Sequence, residues 1–419
     1  MSRSGESVHV LVFPYPAQGH TLPFLDLTHQ LSLRNITITV LTTPKNKPLL
    51  NANPTIQTLV FPFPSHPSIP PGVENVREFG NRGNLPVMLT LTNLFDPIVD
   101  WFQSHHNPHV AIISDFFLGW TLSLANQLHI PRINFCSFCA FLCSVLDYRW
   151  NHVHIIKFFD DDDVIELSDL PRSPAFKGKH LPSVFKFYKE SDPDSQFLKD
   201  GMINNSLSCG CVFNSFEAVE AEYLDYFKTK MGHNRVYGVG PLSLMGPPES
   251  TSSNDYTSEW LHKCPNGSVL YVCFRSQKLL NIKQMEALAL SLEKSQVRLL
   301  WVVKTGSDWY GSVPEGFEER VGEKGLFVNA GLLVEDLGVA VRVCKGADSV
   351  SDSDKLGKVI AESLNECVET KVKAKELRDK ALAGVMSRGG SSIADLDKLV
   401  QDLNNLQLKT LLPGGTEKE

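Results

Sequence analysis

The sequence predicts an α/β protein built from two parallel, doubly wound sheets. Short apolar stretches rich in β-branched residues alternate with stretches of helical spacing along both halves of the chain, the pattern of repeated strand–helix units. Between the halves, residues 241–257 are rich in Gly, Pro, Ser and Thr, a composition typical of a linker. We therefore assign residues 1–240 to a first domain, 258–390 to a second, and 391–419 to a final helix and tail. Two such domains predict a cleft that binds a small molecule.

The first strand–helix unit occupies residues 8–30. Residues 8–13 are apolar and mostly β-branched and are followed by Pro14, which predicts a buried strand. A Pro- and Gly-containing turn follows, and the helical spacing of the next leucines places a helix start near His20. Further strands are predicted at 36–41, 58–61, 110–113, 130–135, 211–214 and 236–239, and helices at 85–102, 118–128, 138–150 and 216–227.

Two stretches of the first half carry local predictions of their own. Residues 151–210 contain an acidic run and several prolines and are predicted to form loops and short helices. Ser215 is the predicted N-cap of the helix that runs to Phe227.

The second half repeats the pattern less completely. Predicted strands are 269–274, 299–303 and 339–343, and predicted helices are 282–292, 327–337, 354–367, 370–386 and 392–403. No strand is predicted between Val303 and Val339, so we expect the second sheet to be truncated. A doubly wound sheet that lacks interior units loses core and part of the crevice at its carboxyl edge.

Composition excludes several classes of function. The net charge of −7 argues against nucleic-acid binding. The longest nearly apolar run, residues 135–146, is shorter than the roughly 18 residues that span a bilayer, and no leader-like apolar region follows the N-terminus. Nine cysteines in such a chain are expected to remain reduced, so we expect a cytoplasmic protein.

His20 and Asp115 are the first candidate site residues. Each follows a predicted strand of the same sheet, so both are expected at its carboxyl edge. A carboxylate bonded to one imidazole nitrogen orients the ring and leaves the other nitrogen as a base. Alternatively, His20 only begins a helix and Asp115 only caps the next one. No Ser or Cys stands out as a nucleophile, so deprotonation of a bound acceptor fits the pair better than a hydrolase triad does.

Other candidates carry weaker signals. Cys136 and Cys139 form a lone Cys-x-x-Cys, better explained by packing than by zinc because no second pair has the right spacing. Ser137 and Ser276 each follow a strand end and could contact a ligand phosphate. Arg275 stands where close approach to a diphosphate usually requires Gly; it could add charge or fill the site.

Charged and histidine-rich segments give no metal pattern. His105, His106, His109, His152 and His154 are expected at the surface. The acidic run 160–163 is expected to be a solvated loop, with a weak cation site as the alternative.

Several blocks together resemble plant UDP-dependent glycosyltransferases of small-molecule metabolism. They are VHVLVFPYPAQGH, AIISDFF, VFNSFEAVE, SVLYVCFRSQ, LLWVVKTG, VPEGFEERV and VNAGLLVEDLGVAV, and they cover nearly the whole chain in order. The first half looks most similar to flavonol- and benzoate-type glucosyltransferases. The resemblance implies a GT-B fold, in which two Rossmann-like domains face each other across a cleft, and a monomer.

The resemblance also implies site residues and co-substrates. His20 would be the general base and Asp115 would orient it, with Gly19 and His20 beside the acceptor and Ser137 and Ser276 toward the donor. The acceptor is a small plant metabolite with a hydroxyl or carboxyl group. The donor is a UDP-sugar, expected to be UDP-glucose, which is transferred with inversion and without a metal or other cofactor.

The chain departs from the family in the donor box. This segment begins Trp-Ala-Pro-Gln, contains His-Cys-Gly-Trp-Asn-Ser and ends Asp-Gln; the resemblance implies that it binds uracil, ribose, diphosphate and sugar. It should lie between Gly325-Leu326 and Val328-Asn329, but Leu326 is followed directly by Phe327. We therefore expect little or no transferase activity. The alternatives are a non-catalytic acceptor-binding protein and a deletion that arises from splicing or from the gene model.

Overall fold

The computed structural model describes residues 7–50, 56–79, 83–105, 109–156, 160, 162–178, 184–185, 188–245, 255–273, 280–302, 313–328, 350–364, 369–386 and 389–411. Contacts divide the chain into two compact units, Met1–Pro247 together with Ala381–Glu419, and Pro248–Lys380. Within the described residues, no helix combines the length and the apolar character needed to cross a bilayer.

The first unit alternates strands and helices. Its strands are β1 (His9–Phe13), β2 (Thr37–Thr42), β3 (Gln57–Val60), β4 (Ala111–Asp115), β5 (Arg132–Cys136), β6 (Val164–Glu166), β7 (Ala175–Lys177), β8 (Gly210–Phe213) and β9 (Val236–Gly238). Its helices are α1 (Gln18–Ser32), α2 (Val76–Phe79), α3 (Asn84–Leu91), α4 (Phe95–Ser104), α5 (Thr121–Gln127), α6 (Ala140–Asn151), α7 (Val153–Ile156), α8 (Pro193–Ser206) and α9 (Glu217–Met231).

A seven-stranded parallel sheet forms the centre of this unit, in the order β3-β2-β1-β4-β5-β8-β9. Alternate residues of β1 enter different cores: Leu11 and Phe13 belong to one cluster, and Val10 and Val12 to another. Both faces of the strand are therefore buried, which explains its continuous apolar run. The parallel, doubly wound sheet predicted for the first half is confirmed.

Two local predictions for this unit are wrong. Residues 193–206 form a regular 14-residue helix, α8, within the stretch predicted as loops and short helices. Asp192 caps it by accepting a hydrogen bond from the backbone N–H of Ser195. Ser215 is not the N-cap of α9; Phe216 is, and the Ser215 hydroxyl donates instead to the carboxylate of Glu220.

The last helix, α15 (Ser391–Leu411), packs on β9 and belongs to the first unit. Its apolar face buries Leu396, Leu399 and Leu403 completely. Polar contacts fix its position, because the Tyr237 hydroxyl donates to Asp402 at 2.5 Å.

The second unit contains a three-stranded parallel sheet, β10 (Val269–Cys273), β11 (Arg298–Val302) and β12 (Gly325–Val328), in that order. Its helices are α10 (Asp255–Lys263), α11 (Ile282–Ser295), α12 (Phe317–Val321) and α13 (Ser353–Ser363), and α14 (Glu369–Met386) begins in this unit.

The expectation of no strand between Val303 and Val339 is wrong. β12 pairs with β11 along its whole length, and it includes Phe327 and Val328, which were predicted to begin a helix. The residues at 329–349, including the strand predicted at 339–343, lie outside the described part of the chain.

The core of the second unit is small. Trp301 and Phe317 pack edge to face, with ring centroids 5.5 Å apart, beneath apolar residues of α11 and α13. The two helices cross closely, because a Cβ atom on Gly357 would lie 2.9 Å from the carbonyl oxygen of Ser291. Tyr271 of β10 is 41% exposed, so this strand is less fully covered than β1.

Candidate active site

His20 and Asp115 form a hydrogen-bonded pair at the carboxyl edge of the first sheet. His20 Nδ1 lies 3.0 Å from Oδ2 and 3.1 Å from Oδ1 of Asp115. An ionised carboxylate can only accept, so Nδ1 donates. The Asp115 side chain is fully buried, whereas that of His20 remains 16% exposed. The pair therefore joins a buried, orienting carboxylate to a ring whose other nitrogen, Nε2, points away from it.

The strand register brings the two residues together. β1 and β4 are parallel neighbours, with Phe13 opposite Ser114, so Asp115 follows at the same edge where the chain leaves β1. The turn after β1 is closed by backbone hydrogen bonds to Ala17, and α1 begins at Gln18. His20 thus lies in the first turn of α1 and contacts the last residue of β4, Asp115.

Asp115 has a second role. Its Oδ1 accepts a hydrogen bond from the backbone N–H of Phe117 at 2.9 Å and caps the short 3₁₀ turn Phe116–Leu118. Asp115 therefore caps this short turn and not the helix that follows it, which begins at Thr121 with Trp120 as its N-cap, and it contacts His20 at the same time. The cap also fixes the carboxylate, which limits the orientations open to the imidazole ring.

Three aromatic rings enclose the imidazole. Phe116 and Phe117 stack near His20, with centroid distances of 5.4 and 4.8 Å, and Tyr15 packs edge-on at 5.3 Å. The Tyr15 hydroxyl donates to the carbonyl oxygen of Asn84. Burial, with a smaller contribution from Asp115, raises the pKa of Tyr15 well above its usual value, so the phenol stays neutral. The apolar rings exclude water from the His20–Asp115 hydrogen bond and strengthen it.

Arg132 lies beneath the pair, on the neighbouring strand β5, and is 1% exposed. Its Nη2 donates to the backbone oxygen of Asp115 at 3.3 Å, and its Nε donates to the hydroxyl of Ser114 at 2.8 Å. Burial lowers the pKa of Arg132 to about 10, and it remains charged at neutral pH. The guanidinium therefore supplies a buried positive charge near the Asp115 carboxylate without forming a direct ion pair with it.

Helix α8 holds the turn that carries the aromatic rings. Asn205 Nδ2 donates to the carbonyl oxygen of Phe116 at 3.0 Å. The backbone after this turn also packs closely on α8, because a Cβ atom on Gly119 would lie 1.8 Å from the carbonyl oxygen of Gly201. Only glycine fits at 119 without displacing α8.

The loop after β5 is anchored by Glu220, which is 5% exposed. Its carboxylate accepts from the backbone N–H groups of Ala140 at 2.7 Å and Phe141 at 3.0 Å, and so caps the start of α6 from another helix. Phe138 of this loop packs edge to face on Phe116, 4.6 Å away. Glu220 therefore helps to position the rings around His20.

We expect Glu220→Gln to lower the free energy of unfolding by about 1–3 kcal/mol, because the amide group turns one acceptor into a donor that faces other donors. Urea titration followed by circular dichroism measures this change. Glu217→Gln, an exposed substitution one turn earlier, is the matched control and should change the free energy by less than about 0.5 kcal/mol. Equal effects of the two substitutions would contradict the capping role.

The remaining predicted site residues have varied positions. Gly19 is exposed, with open space around it. Ser137 is half-buried after β5, and its carbonyl oxygen accepts from Asn214 Nδ2 at 3.4 Å. Ser276 and Arg275 lie outside the described residues. Cys136 and Cys143 are buried and Cys139 is half-buried, all three as free thiols.

The surface prediction for the histidines is wrong for His109, which is 2% exposed. His105 is half-buried and His154 is exposed, while His106 lies outside the described residues. The pattern missed His109 because its neighbours come from distant parts of the chain, His9 among them.

Sequence reasoning also missed Tyr15, Phe116, Phe117, Arg132 and Glu220. Arg132 lies within the predicted strand 130–135, and a charged residue inside a strand predicted to be buried was the available signal. Glu220 belongs to the VFNSFEAVE block, but its partners are 79 and 80 residues away and no local pattern reveals them.

Comparison with known proteins identifies relatives along nearly the whole chain. UDP-glycosyltransferase 89A2 of Arabidopsis thaliana is 45% identical, over 97% of this chain and 98% of that relative. Flavonol 3-O-glucosyltransferase UGT89B1 of the same plant is 38% identical, over 96% and 97%. Among models of known protein families, none matches.

Solved structures agree with these sequence relatives. The crystal structure of Arabidopsis thaliana UGT89C1 complexed with quercetin is similar with a TM-score of 0.74 and 32% identity, and the match covers 95% of this chain and all of that one. The same protein complexed with UDP-L-rhamnose matches equally well. The chain therefore belongs to the plant UDP-glycosyltransferases, in the UGT89 group, and has their GT-B fold with a parallel Rossmann-like sheet.

Proposed function

We propose that the first unit binds a hydroxylated aromatic acceptor of the flavonol class and that His20 is the base that removes its proton. The observation that carries this proposal is the contact between His20 Nδ1 and the buried Asp115 carboxylate, 3.0 Å long. Two relatives support the acceptor class. One is named a flavonol 3-O-glucosyltransferase, and the structure of the other was solved with quercetin bound.

The proposed chemistry follows from the ring orientation. Nε2 of His20 accepts the proton of the acceptor hydroxyl while the oxygen attacks the anomeric carbon of a UDP-sugar, expected to be UDP-glucose. The bond from the anomeric carbon to UDP breaks with inversion, and UDP leaves with the electron pair. The imidazolium that forms carries its positive charge next to Asp115, which stabilises it as the carboxylate does in a Ser-His-Asp triad.

We further propose that this chain transfers sugar poorly, because the donor box is missing. The match to UDP-glycosyltransferase 89A2 extends over 463 positions, although the whole chain has 419 residues, so that relative has residues without a counterpart here. β12 combines Gly325 and Leu326 with Phe327 and Val328, the residues expected before and after the box. The strand therefore continues across the junction, and the groups expected to bind uracil, ribose and diphosphate do not follow it in the sequence.

Turnover of the purified chain with UDP-glucose and a panel of flavonols and benzoates tests the proposal. We expect a rate at least about 10³-fold below that of UDP-glycosyltransferase 89A2 assayed in parallel, since losing even one group that stabilises the transition-state charge costs about 10²–10³-fold. A rate comparable with that relative, abolished by His20→Ala, would contradict the proposed loss of donor binding.

The positions of UDP-glycosyltransferase 89A2 that have no counterpart here also favour a deletion. The donor box was lost either from the transcript itself or only from the gene model. Sequencing the transcript across the codons of Leu326 and Phe327 decides between the two. A transcript that contains the donor box would assign the impaired form to the gene model, and a transcript without it would make the shortened chain the expressed protein.

A further inference from the structure

Three histidines meet at the edge of the first sheet opposite to His20 and Asp115. His9 is the first residue of β1, His109 lies two residues before β4, and His105 directly follows α4. One ring nitrogen from each lies within 4.8 Å of the other two. The rings of His9 and His109 are in contact, with centroids 3.8 Å apart.

Burial makes this cluster unusual. His9 is 1% exposed and His109 is 2% exposed. Within the described part of the chain, Nδ1 of His9 and both ring nitrogens of His109 have no hydrogen-bond partner. Leaving a buried polar group unpaired costs about 1–3 kcal/mol. Three such atoms in one cluster therefore indicate that a group other than the described residues interacts with these ring nitrogens.

The neighbours of His9 favour one tautomer. The Thr39 hydroxyl has one hydrogen, and its Oγ1 lies within donating distance of Gln57 Oε1, at 3.4 Å. Thr39 then accepts from Nε2–H of His9, at 2.8 Å. Nδ1 of His9 is left with a free lone pair that a metal ion could use, and a polar partner on Nε2 is the usual support of a metal-binding imidazole.

The geometry points to a metal site: we propose that His9, His105 and His109 bind one divalent transition-metal ion of the zinc class. Zn²⁺ accepts three imidazole nitrogens and keeps a fourth position for water. Nitrogens bound to one tetrahedral zinc lie about 3.4 Å apart, so the three rings must turn to bind one ion from their present spacing of up to 4.8 Å.

Burial favours the neutral form of two of the three rings. Burial, together with the charge of His105, lowers the pKa of His9 to about 4. Burial, His9 and His105 lower the pKa of His109 to about 3. Trp101 stacks on His105 at 4.6 Å and shields one side of the cluster.

Calorimetric titration of the metal-free, untagged chain with ZnCl₂ tests the site. We expect one ion per chain with a Kd of about 1 μM or lower, and an increase in Tm on binding, because the ion binds the folded chain more tightly than the unfolded one. Co²⁺ in place of Zn²⁺ should give the visible absorption of a tetrahedral site. These readouts do not depend on transferase activity.

Variants assign the binding to these residues. His105→Ala alters a half-buried side chain and should keep the fold, and His109→Leu replaces a buried ring with an apolar side chain. Each should weaken binding by more than about 100-fold, and Thr39→Val by about 10–100-fold. His154→Ala, at an exposed histidine of α7, should change nothing. No binding below about 1 mM, or equal binding by the wild-type chain and His105→Ala, would overturn the proposal.

Discussion

Insertion of a donor box with the family pattern between Leu326 and Phe327 is expected to raise turnover with UDP-glucose and a flavonol by about 10³-fold or more. In that restored chain, His20→Ala is expected to lower kcat by about 10²–10⁴-fold, the usual contribution of a general base. The reason is that different residues are expected to serve the acceptor and the donor. The pair that we propose acts on the acceptor is present, with Nδ1 of His20 3.0 Å from Asp115, and the segment that we propose is missing would serve the donor.

The restored chain also separates the roles of the two residues. Asp115→Asn keeps the cap on Phe117 but offers a neutral partner to His20, so it should lower kcat and leave the KM for the acceptor nearly unchanged. His154→Ala is the control for removal of a histidine. Turnover that is restored by the insertion and unaffected by His20→Ala would contradict the assignment of His20 as the base.

Arg132→Met is expected to cost about 3–5 kcal/mol of stability, the largest effect on folding of any substitution considered. Breaking a buried charged network by removing one member is strongly destabilising. The guanidinium donates to Ser114, Thr121, Ser208 and Asn205, and to the backbone oxygen of Asp115. Methionine fills part of the volume but satisfies none of these acceptors. It also removes the positive charge near the Asp115 carboxylate.

Hydrogen exchange of the peptides that cover β4 and β5 measures this loss within the first unit alone. Arg132→Lys should fall between the wild-type chain and Arg132→Met, because lysine keeps the charge and loses the planar fork of donors. Arg77→Met, at an exposed position of α2, is the control and should leave the exchange of β4 and β5 unchanged. Equal exchange in the Arg132 and Arg77 variants would show that the network contributes little.

The residues found from sequence share one property: their positions follow from strand ends. His20 and Asp115 were predicted together because parallel strands place their carboxyl ends at one edge, and the structure joins them across 95 residues of chain. β1 and β4 of the first sheet were found because both of their faces are buried and their sequences are largely apolar.

The residues that were missed depend on contacts between distant elements. Glu220 looks like an ordinary helix residue, and only its contact with the start of α6 reveals the cap. His9, His105 and His109 come together only after β1 and β4 pair and α4 packs beside them. β12 was missed because it is only four residues long and crosses the junction at Leu326, where the pattern expected a helix.

Binding of the two ligands by one preparation of the chain tests the central claim most directly. Calorimetry with quercetin should show one site with an affinity that His20→Ala changes little, because the base acts mainly on the transition state. Calorimetry with UDP should show no binding at concentrations that saturate UDP-glycosyltransferase 89A2. Tight binding of UDP by this chain would contradict the account, and so would the absence of quercetin binding.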